Sequence, residues 1–241
     1  RAGKVGAVLL AGGQGTRLGS DGPKGKYNIG LTKEIYIFER LIRNLMDVTD
    51  KAGCFVPLYV MTSDKNHDET IAFFEEKNYF GYPKDFVKFF KQEMAPSVDF
   101  QGKLYMESAD SLSLSPNGNG GWFYSMEVTG VLKDVKARGV EWLNIFAVDN
   151  VLQRIADPVF VGATIDSGCV SGAKVVRKAD PEEKIGVLCL EDGKPSIVEY
   201  YEMTEEIINS REANGELSYN FGVILNYLFR VDQLEEISNQ K

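Results

Sequence analysis

The sequence predicts an α/β fold, with a predominantly parallel sheet covered by helices on both faces. Three observations carry that expectation. Apolar runs of strand length alternate with segments of helical periodicity over the first 150 residues, as successive βαβ units require. The first such run, Val5–Leu10, leads directly into a glycine-rich turn, and residues 142–148 form a strongly apolar central strand. The chain has 241 residues, 44% of them hydrophobic, enough for one sizeable core, so residues 1–241 read as a single unit.

The elements follow in order. Val5–Leu10 is the first strand. After the glycine turn, Ile35, Phe38, Leu41, Ile42, Leu45 and Met46 recur at helical spacing and make one apolar stripe for packing on the sheet. Residues 56–62 read as a strand, 68–77 as a helix and 87–91 as a strand. The charges on these helices read as solvated faces, and Phe73, Phe74, Phe80, Phe86, Phe89 and Phe90 as core. Between Gln92 and Trp122 the periodicity disappears, and prolines, asparagines and glycines replace it. A loop of that length inside a compact domain is expected to be functional. Residues 129–138 read as a helix, and 142–148 as the central strand that closes on Asp149. From Ala173 the pattern changes to short strands, with Glu191-Asp192-Gly193-Lys194 as a hairpin turn between 185–190 and 196–200.

Composition excludes several classes of function. A net charge of −8 opposes binding to nucleic acid polymers or to anionic membranes. No apolar run approaches the length of a membrane span, and no signal peptide is expected at the start. Cys54, Cys169 and Cys189 are odd in number and widely spaced, with His67 the only histidine. Neither a disulfide framework nor a zinc site is expected, and a reducing cytoplasm is the simplest home. His67 receives no catalytic role.

Chemistry concentrates in the turn after the first strand. Residues 10–19 read Leu-Ala-Gly-Gly-Gln-Gly-Thr-Arg-Leu-Gly, and Pro23-Lys24-Gly25 follows. Glycines let backbone amides approach anionic oxygens closely, and Arg17 and Lys24 add positive charge, so the loop suits a polyphosphate. It is not a Walker loop: five positions beyond Gly12, Gly13 and Gly15 stand Arg17, Leu18 and Ser20 rather than the required glycine. It also misses the dinucleotide fingerprint, because Leu18 occupies the third glycine position and Gly19 comes one residue late. A plain strand-to-helix turn is the alternative, but it does not need four glycines beside two cations.

With its neighbouring segments, this loop resembles the signature of the UTP-dependent sugar-1-phosphate uridylyltransferases, in their UDP-N-acetylglucosamine pyrophosphorylase branch. The supporting segments occur in family order: Tyr59-Val60-Met61-Thr62-Ser63, Asn119-Gly120-Gly121, Ala147-Val148-Asp149-Asn150, Gly172-Ala173-Lys174-Val175-Val176, Val198-Glu199-Tyr200 and Tyr219-Asn220-Phe221-Gly222. The resemblance implies a Rossmann-like nucleotidyltransferase core, its mostly parallel mixed sheet flanked by helices, plus a small antiparallel sugar-side section. It also implies that the chain is a piece of a longer protein, lacking N- and C-terminal parts.

The implied reaction joins UTP and N-acetylglucosamine 1-phosphate to give the UDP-sugar and pyrophosphate. UDP-glucose or broad UDP-sugar synthesis is an alternative, as is a catalytically silent UTP- or UDP-sugar-binding protein. By resemblance, Arg17 and Lys24 serve the phosphates as catalytic cations. Leu10, Ala11, Gly12, Gly13, Gln14, Gly15 and Thr16 bind nucleotide, with Gln92, Gly120 and Gly121 toward the uracil. Glu93 departs from the glycine that often follows this glutamine, placing a side chain beside the base. Asp149 is the expected Mg²⁺ ligand; read alone, it is equally a strand-terminal residue turning the chain into Asn150. Asn150, Lys174, Gly186, Glu199 and Asn220 are carried over to the sugar side, whereas Lys26 reads equally well as a solvated charge. Oligomeric state is not legible.

Overall fold

Strand β1 (Val5–Leu10) is buried at all but its first residue in the computed structural model, which describes residues 2–239. Its side chains alternate between the faces. Ala7 and Leu9 join one core cluster, and Val8 and Leu10 the other, as the two-residue period of a strand dictates. A sheet apolar on both faces has to be covered on both. Helix α1 (Ile37–Ala52) covers the first face with Phe38, Leu41, Ile42 and Leu45. After β2 (Leu58–Thr62), α2 (His67–Glu76) adds Phe73 and Phe74 to the same cluster, and β3 (Val87–Lys91) follows. Each such side chain, fully buried, contributes about 1.5–3 kcal/mol.

The stretch expected to be a loop carries small ribbons. It holds β4 (Met94–Pro96), β5 (Met106–Ser108), β6 (Ser111–Leu112) and β7 (Leu114–Pro116), paired β4 with β7 and β5 with β6. These strands are largely exposed, so no buried face imposed a readable period. A helix the sequence reading missed, α3 (Trp122–Val128), comes next, then α4 (Val131–Ala137) within the expected 129–138. Trp122, Phe123, Met126, Leu132 and Val135 cover the second face.

Strand β8 (Trp142–Ala147) ends two residues before Asp149. The sequence reading also passed over α5 (Pro158–Asp166), which buries only Thr164 and so has no apolar stripe to find. Local signals start it: Asp157 accepts from the Val159 N–H, and Pro158 holds the first helical position. The remaining elements are β9 (Ser171–Arg177), β10 (Val187–Glu191), β11 (Lys194–Val198), α6 (Glu205–Asn209), β12 (Phe221–Arg230) and α7 (Val231–Ser238). Asp192 and Gly193 both have positive φ, 50° and 75°, between the paired Glu191 and Lys194, the geometry of a tight hairpin turn.

One eight-stranded sheet runs β11-β10-β12-β8-β1-β2-β3, with β9 paired to β12. Strands β8, β1, β2 and β3 are parallel. The antiparallel strands are continuous with the parallel core, because β12 pairs with β8 and joins them to it. From β1 the chain proceeds outward to β2 and β3 on one side and returns on the other side as β8. The carboxyl ends of β1 and β8 therefore flank a topological switch point, where open α/β sheets form their ligand crevice. Among the described residues no helix is long and apolar enough to cross a membrane.

Candidate active site

The glycine turn leaves β1 at this switch point and is held from behind. Asn66, 1% exposed, donates to the carbonyls of Ala11 at 3.0 Å and Gly13 at 3.3 Å, and its own oxygen accepts from the Ser63 N–H at 2.8 Å. The turn also closes on itself: the Gly15 N–H donates to the Gly22 carbonyl at 2.9 Å and the Lys24 N–H to the Gly13 carbonyl at 3.3 Å. Gly12 lies directly against Gln92. A β-carbon there would stand 2.8 Å from the Gln92 Nε2 and Oε1, so glycine is what lets the loop and the amide approach one another.

Gly12, Gly13, Lys24 and Gln92 line a cavity of about 240 Å³, together with Leu10, Asn119, Asp149 and Leu225. Lys24 and Asp149, 125 residues apart in sequence, form a direct ion pair at its edge, with the Asp149 side chain 63% exposed. Leu10, Gly12, Gly13, Lys24, Gln92 and Asp149 are thus gathered in one place. The other nearby candidates are placed differently. Ala11 is buried behind the loop and Gly15 within it, while Thr16 and Arg17 are exposed on a short 3-10 turn outside the lining of this cavity. The Gln14 Oε1 is buried without a hydrogen-bond partner. Lys26 belongs to the surface, pairing with Glu69 at 2.5 Å and lying 5.3 Å from the centre of the Phe73 ring.

A second cavity, of about 560 Å³, adjoins the first and shares Leu10, Asn119 and Leu225 with it. Gly186 and Glu199, assigned to the sugar side, line it, and so does Gly120, assigned toward the uracil. So do Trp122, Ile145, Lys184, Tyr200, Val223, Tyr227 and Phe229. Broad apolar walls with a few polar groups suit an organic ligand that must be oriented as well as enclosed. Burial, and secondarily the Glu199 charge, push the Tyr227 hydroxyl pKa upward, so this group stays a neutral donor.

Beyond Ala11, Gln14, Gly15 and Thr16, four more residues assigned to the nucleotide or sugar by resemblance lie outside the lining of both cavities: Gly121, Asn150, Lys174 and Asn220. The Gly121 carbonyl accepts from the Ser125 Oγ at 2.9 Å, and the Asn150 Oδ1 from the Leu152 N–H at 3.2 Å. The Lys174 ammonium is occupied by Asp157 at 2.8 Å. Burial raises the Asp157 pKa, but the hydrogen bond and charge of Lys174 outweigh it and hold the carboxyl below its usual range. Asn220 sits just ahead of β12, which presents Val223, Leu225 and Tyr227 to the larger cavity instead. Sequence reasoning missed Lys184, Asn119 and Leu225. The first two lie within two residues of assigned glycines, whereas the left-handed backbone of Leu225, φ 49°, has no sequence signal.

Asp149 is the one carboxylate lining the smaller cavity. Among the described residues no three His, Cys, Asp or Glu side chains gather as a metal cage. A lone carboxylate beside an anion-binding loop fits Mg²⁺, which takes one or two protein oxygens and completes its shell with phosphate and water. It does not fit zinc. The His67 Nδ1 lies 2.6 Å from the Thr62 Oγ1, and burial lowers the pKa of this imidazole.

Comparison with known proteins gives concordant results. The family model for UTP–glucose-1-phosphate uridylyltransferase matches residues 2–239. The chain is 42% identical over 243 residues to UDP-N-acetylhexosamine pyrophosphorylase-like protein 1 of Mus musculus, covering 98% of this chain and 48% of that protein. It is 40% identical to UDP-N-acetylglucosamine pyrophosphorylase of Saccharomyces cerevisiae, covering 99% of this chain and 51% of the yeast protein. A crystal structure of UDP-N-acetylglucosamine pyrophosphorylase from Trypanosoma brucei, in complex with an inhibitor, superposes with a TM-score of 0.88 at 32% identity, covering 99% of this chain and 49% of that one. The chain spans about half the length of the curated relatives it matches.

Proposed function

Because this chain belongs to the UTP–glucose-1-phosphate uridylyltransferase family, we propose that it joins UTP and N-acetylglucosamine 1-phosphate to form UDP-N-acetylglucosamine and pyrophosphate. The observation that carries the reading is the meeting of Lys24 and Asp149 beside Gly12 and Gly13 at the switch point. A cation and a carboxylate from remote parts of the chain flank a cavity floored by a glycine turn. This is the equipment phosphoryl transfer needs, since its main obstacle is electrostatic.

The sugar phosphate requires no general base. A phosphate monoester has a second pKa of about 6 and is already ionised near neutral pH. Its oxygen attacks the α-phosphorus of UTP in line with the departing pyrophosphate. Two anionic charges at about 4 Å repel by roughly 4 kcal/mol at an effective dielectric near 20, and the site has to offset this. In the proposed cycle Lys24 exchanges its partner Asp149 for the phosphates and follows the charge that develops on them. The turn at Gly12 and Gly13 orients the phosphates, and Gln92 with the Asn119–Gly121 backbone addresses the uracil edge. Glu199 and Tyr227 face the sugar. Mg²⁺ bound through Asp149 would neutralise phosphate charge and help orient the nucleotide. Three free cysteines suit a reducing cytoplasm.

The test is pyrophosphate release with UTP, Mg²⁺ and a panel of sugar 1-phosphates. Release with N-acetylglucosamine 1-phosphate ahead of glucose 1-phosphate is expected. Equal or greater release with glucose 1-phosphate would give the UDP-glucose assignment, and UTP binding without release under any condition would make the chain a binding module.

A further inference from the structure

The segment that carries Asp149 is held by side-chain amides rather than by a helix or sheet. Asn144 on β8 donates to the Asn226 Oδ1 at 2.9 Å and to the Tyr227 carbonyl at 2.8 Å, and accepts from the Ala156 N–H at 2.7 Å. Asn226 on β12 donates in turn to the Gln153 Oε1 at 3.1 Å, and the Gln153 Nε2 donates to the Ala147 carbonyl at 2.8 Å. From α1, Asn44 donates to the carbonyls of Val151 at 2.9 Å and Gln153 at 3.1 Å. All four amides are buried, between 0% and 8% exposed. The backbone is thereby fixed at residues 147, 151, 153 and 156, while the Asp149 side chain stays 63% exposed.

Leaving a buried amide unpaired costs about 1–3 kcal/mol, so four buried amides, three of them bonded to one another, are a demanding way to fill a core. Its bonds converge on one short segment whose exposed carboxylate meets Lys24. We infer that Gln153, secured by Asn226, is a positioning residue for the Asp149 carboxylate. Its amide closes the turn by holding the Ala147 carbonyl, two residues before that aspartate. The inference rests on the proposed reading of Asp149 as the metal-binding carboxylate; groups bonded directly to such ligands typically govern metal affinity by about 10- to 100-fold, and Gln153, acting two residues away, is expected at the lower end of that range.

The experiment measures Mn²⁺ affinity, as a paramagnetic stand-in for Mg²⁺, by electron paramagnetic resonance on this chain saturated with UTP. Wild type against Asp149→Asn tests the underlying reading: equal affinities would remove Asp149 from the metal and end both claims. With that difference in hand, Gln153→Met is expected to weaken Mn²⁺ about tenfold, while UTP binding in EDTA stays at the wild-type value. In an Asp149→Asn background the same change is expected to add no further loss, because it acts through that carboxylate. Asn44→Ala, which frees the turn from α1 without touching β8 or β12, is expected to weaken Mn²⁺ in the same direction. Unchanged Mn²⁺ affinity in folded Gln153→Met, or a loss that adds in full to Asp149→Asn, would overturn the inference. Loss of fold in both Gln153→Met and Asn44→Ala would assign the amides to stability alone and overturn it too.

Discussion

Replacing Lys24 by alanine separates catalysis from folding at this site. The side chain is 20% exposed and its partner Asp149 63% exposed, so the pair lies close to the surface, where ion pairs contribute about 0–1 kcal/mol. A chain of this size loses about 2–4 °C of melting temperature per kcal/mol. The expected shift is therefore at most a few degrees. Turnover has a different scale, because the ammonium is the one protein cation lining the smaller cavity. Deleting a preorganised donor aimed at transition-state charge typically costs about 10²–10³ in kcat. Lys24→Ala is expected to lose that much in pyrophosphate release while melting within about 4 °C of the parent. The assay pairs initial rates at saturating UTP and Mg²⁺ with a thermal melt of the same preparation. A folded variant that keeps its turnover to within a few-fold would refute the electrostatic argument. A collapse of the melting temperature would show instead that the ion pair is structural.

Three further outcomes follow from the geometry. A β-carbon at Gly25 would stand 2.2 Å from the ring of Phe38, which is 0% exposed; Gly25→Ala is expected to cost at least about 1–3 kcal/mol by overpacking, read as a lower denaturant midpoint. The three atoms nearest a β-carbon at Gly12 all belong to the movable tip of Gln92, so Gly12→Ala is expected to raise KM for UTP by up to about tenfold, the scale of one hydrogen bond, with no measurable change in melting. Burial pushes the hydroxyl pKa values of Tyr59 and Tyr82 well above the ordinary tyrosine value, Asp134 adding to the rise at Tyr59. Their folded-state pKa values exceed the unfolded value of about 10, so the stability they contribute is intact below that pH and lost as pH rises above it; phenolate absorbance from both is expected to appear together with unfolding, and its appearance in still-folded protein would contradict the burial argument.

Much of the parallel core was legible because its signals are local. Val5–Leu10 and Val87–Lys91 coincide with the expected strands, and the stripe from Phe38 to Met46 lies on α1. The sheet-facing side of such a helix has to be apolar, so the requirement is written into its spacing. The ribbons of residues 94–116 and α5, which buries only Thr164, stayed hidden because no buried face imposed a period, whereas α3 buries Trp122, Phe123 and Met126 but is only seven residues long, too short to show one. Within the site, Gly12, Gly13, Lys24, Gln92, Asp149, Gly186 and Glu199 were named from motifs, and the structure sets each of them at one of the two adjoining cavities. Lys174 and Asn220 were named in the same way and lie outside them.

By itself the sequence determined the strand-and-helix order, the anion-binding chemistry of the first turn and the family likeness, since each depends on residues close together along the chain. Only the tertiary structure decided that Lys24 faces Asp149, that Lys174 is occupied by Asp157 while Lys184 lines the larger cavity, and that Asn144, Asn226 and Gln153 form one connected set. These are pairings across strands and loops. They depend on how β12 docks against β8 and where the chain reverses around β1, and neither leaves a period or a spacing in the sequence.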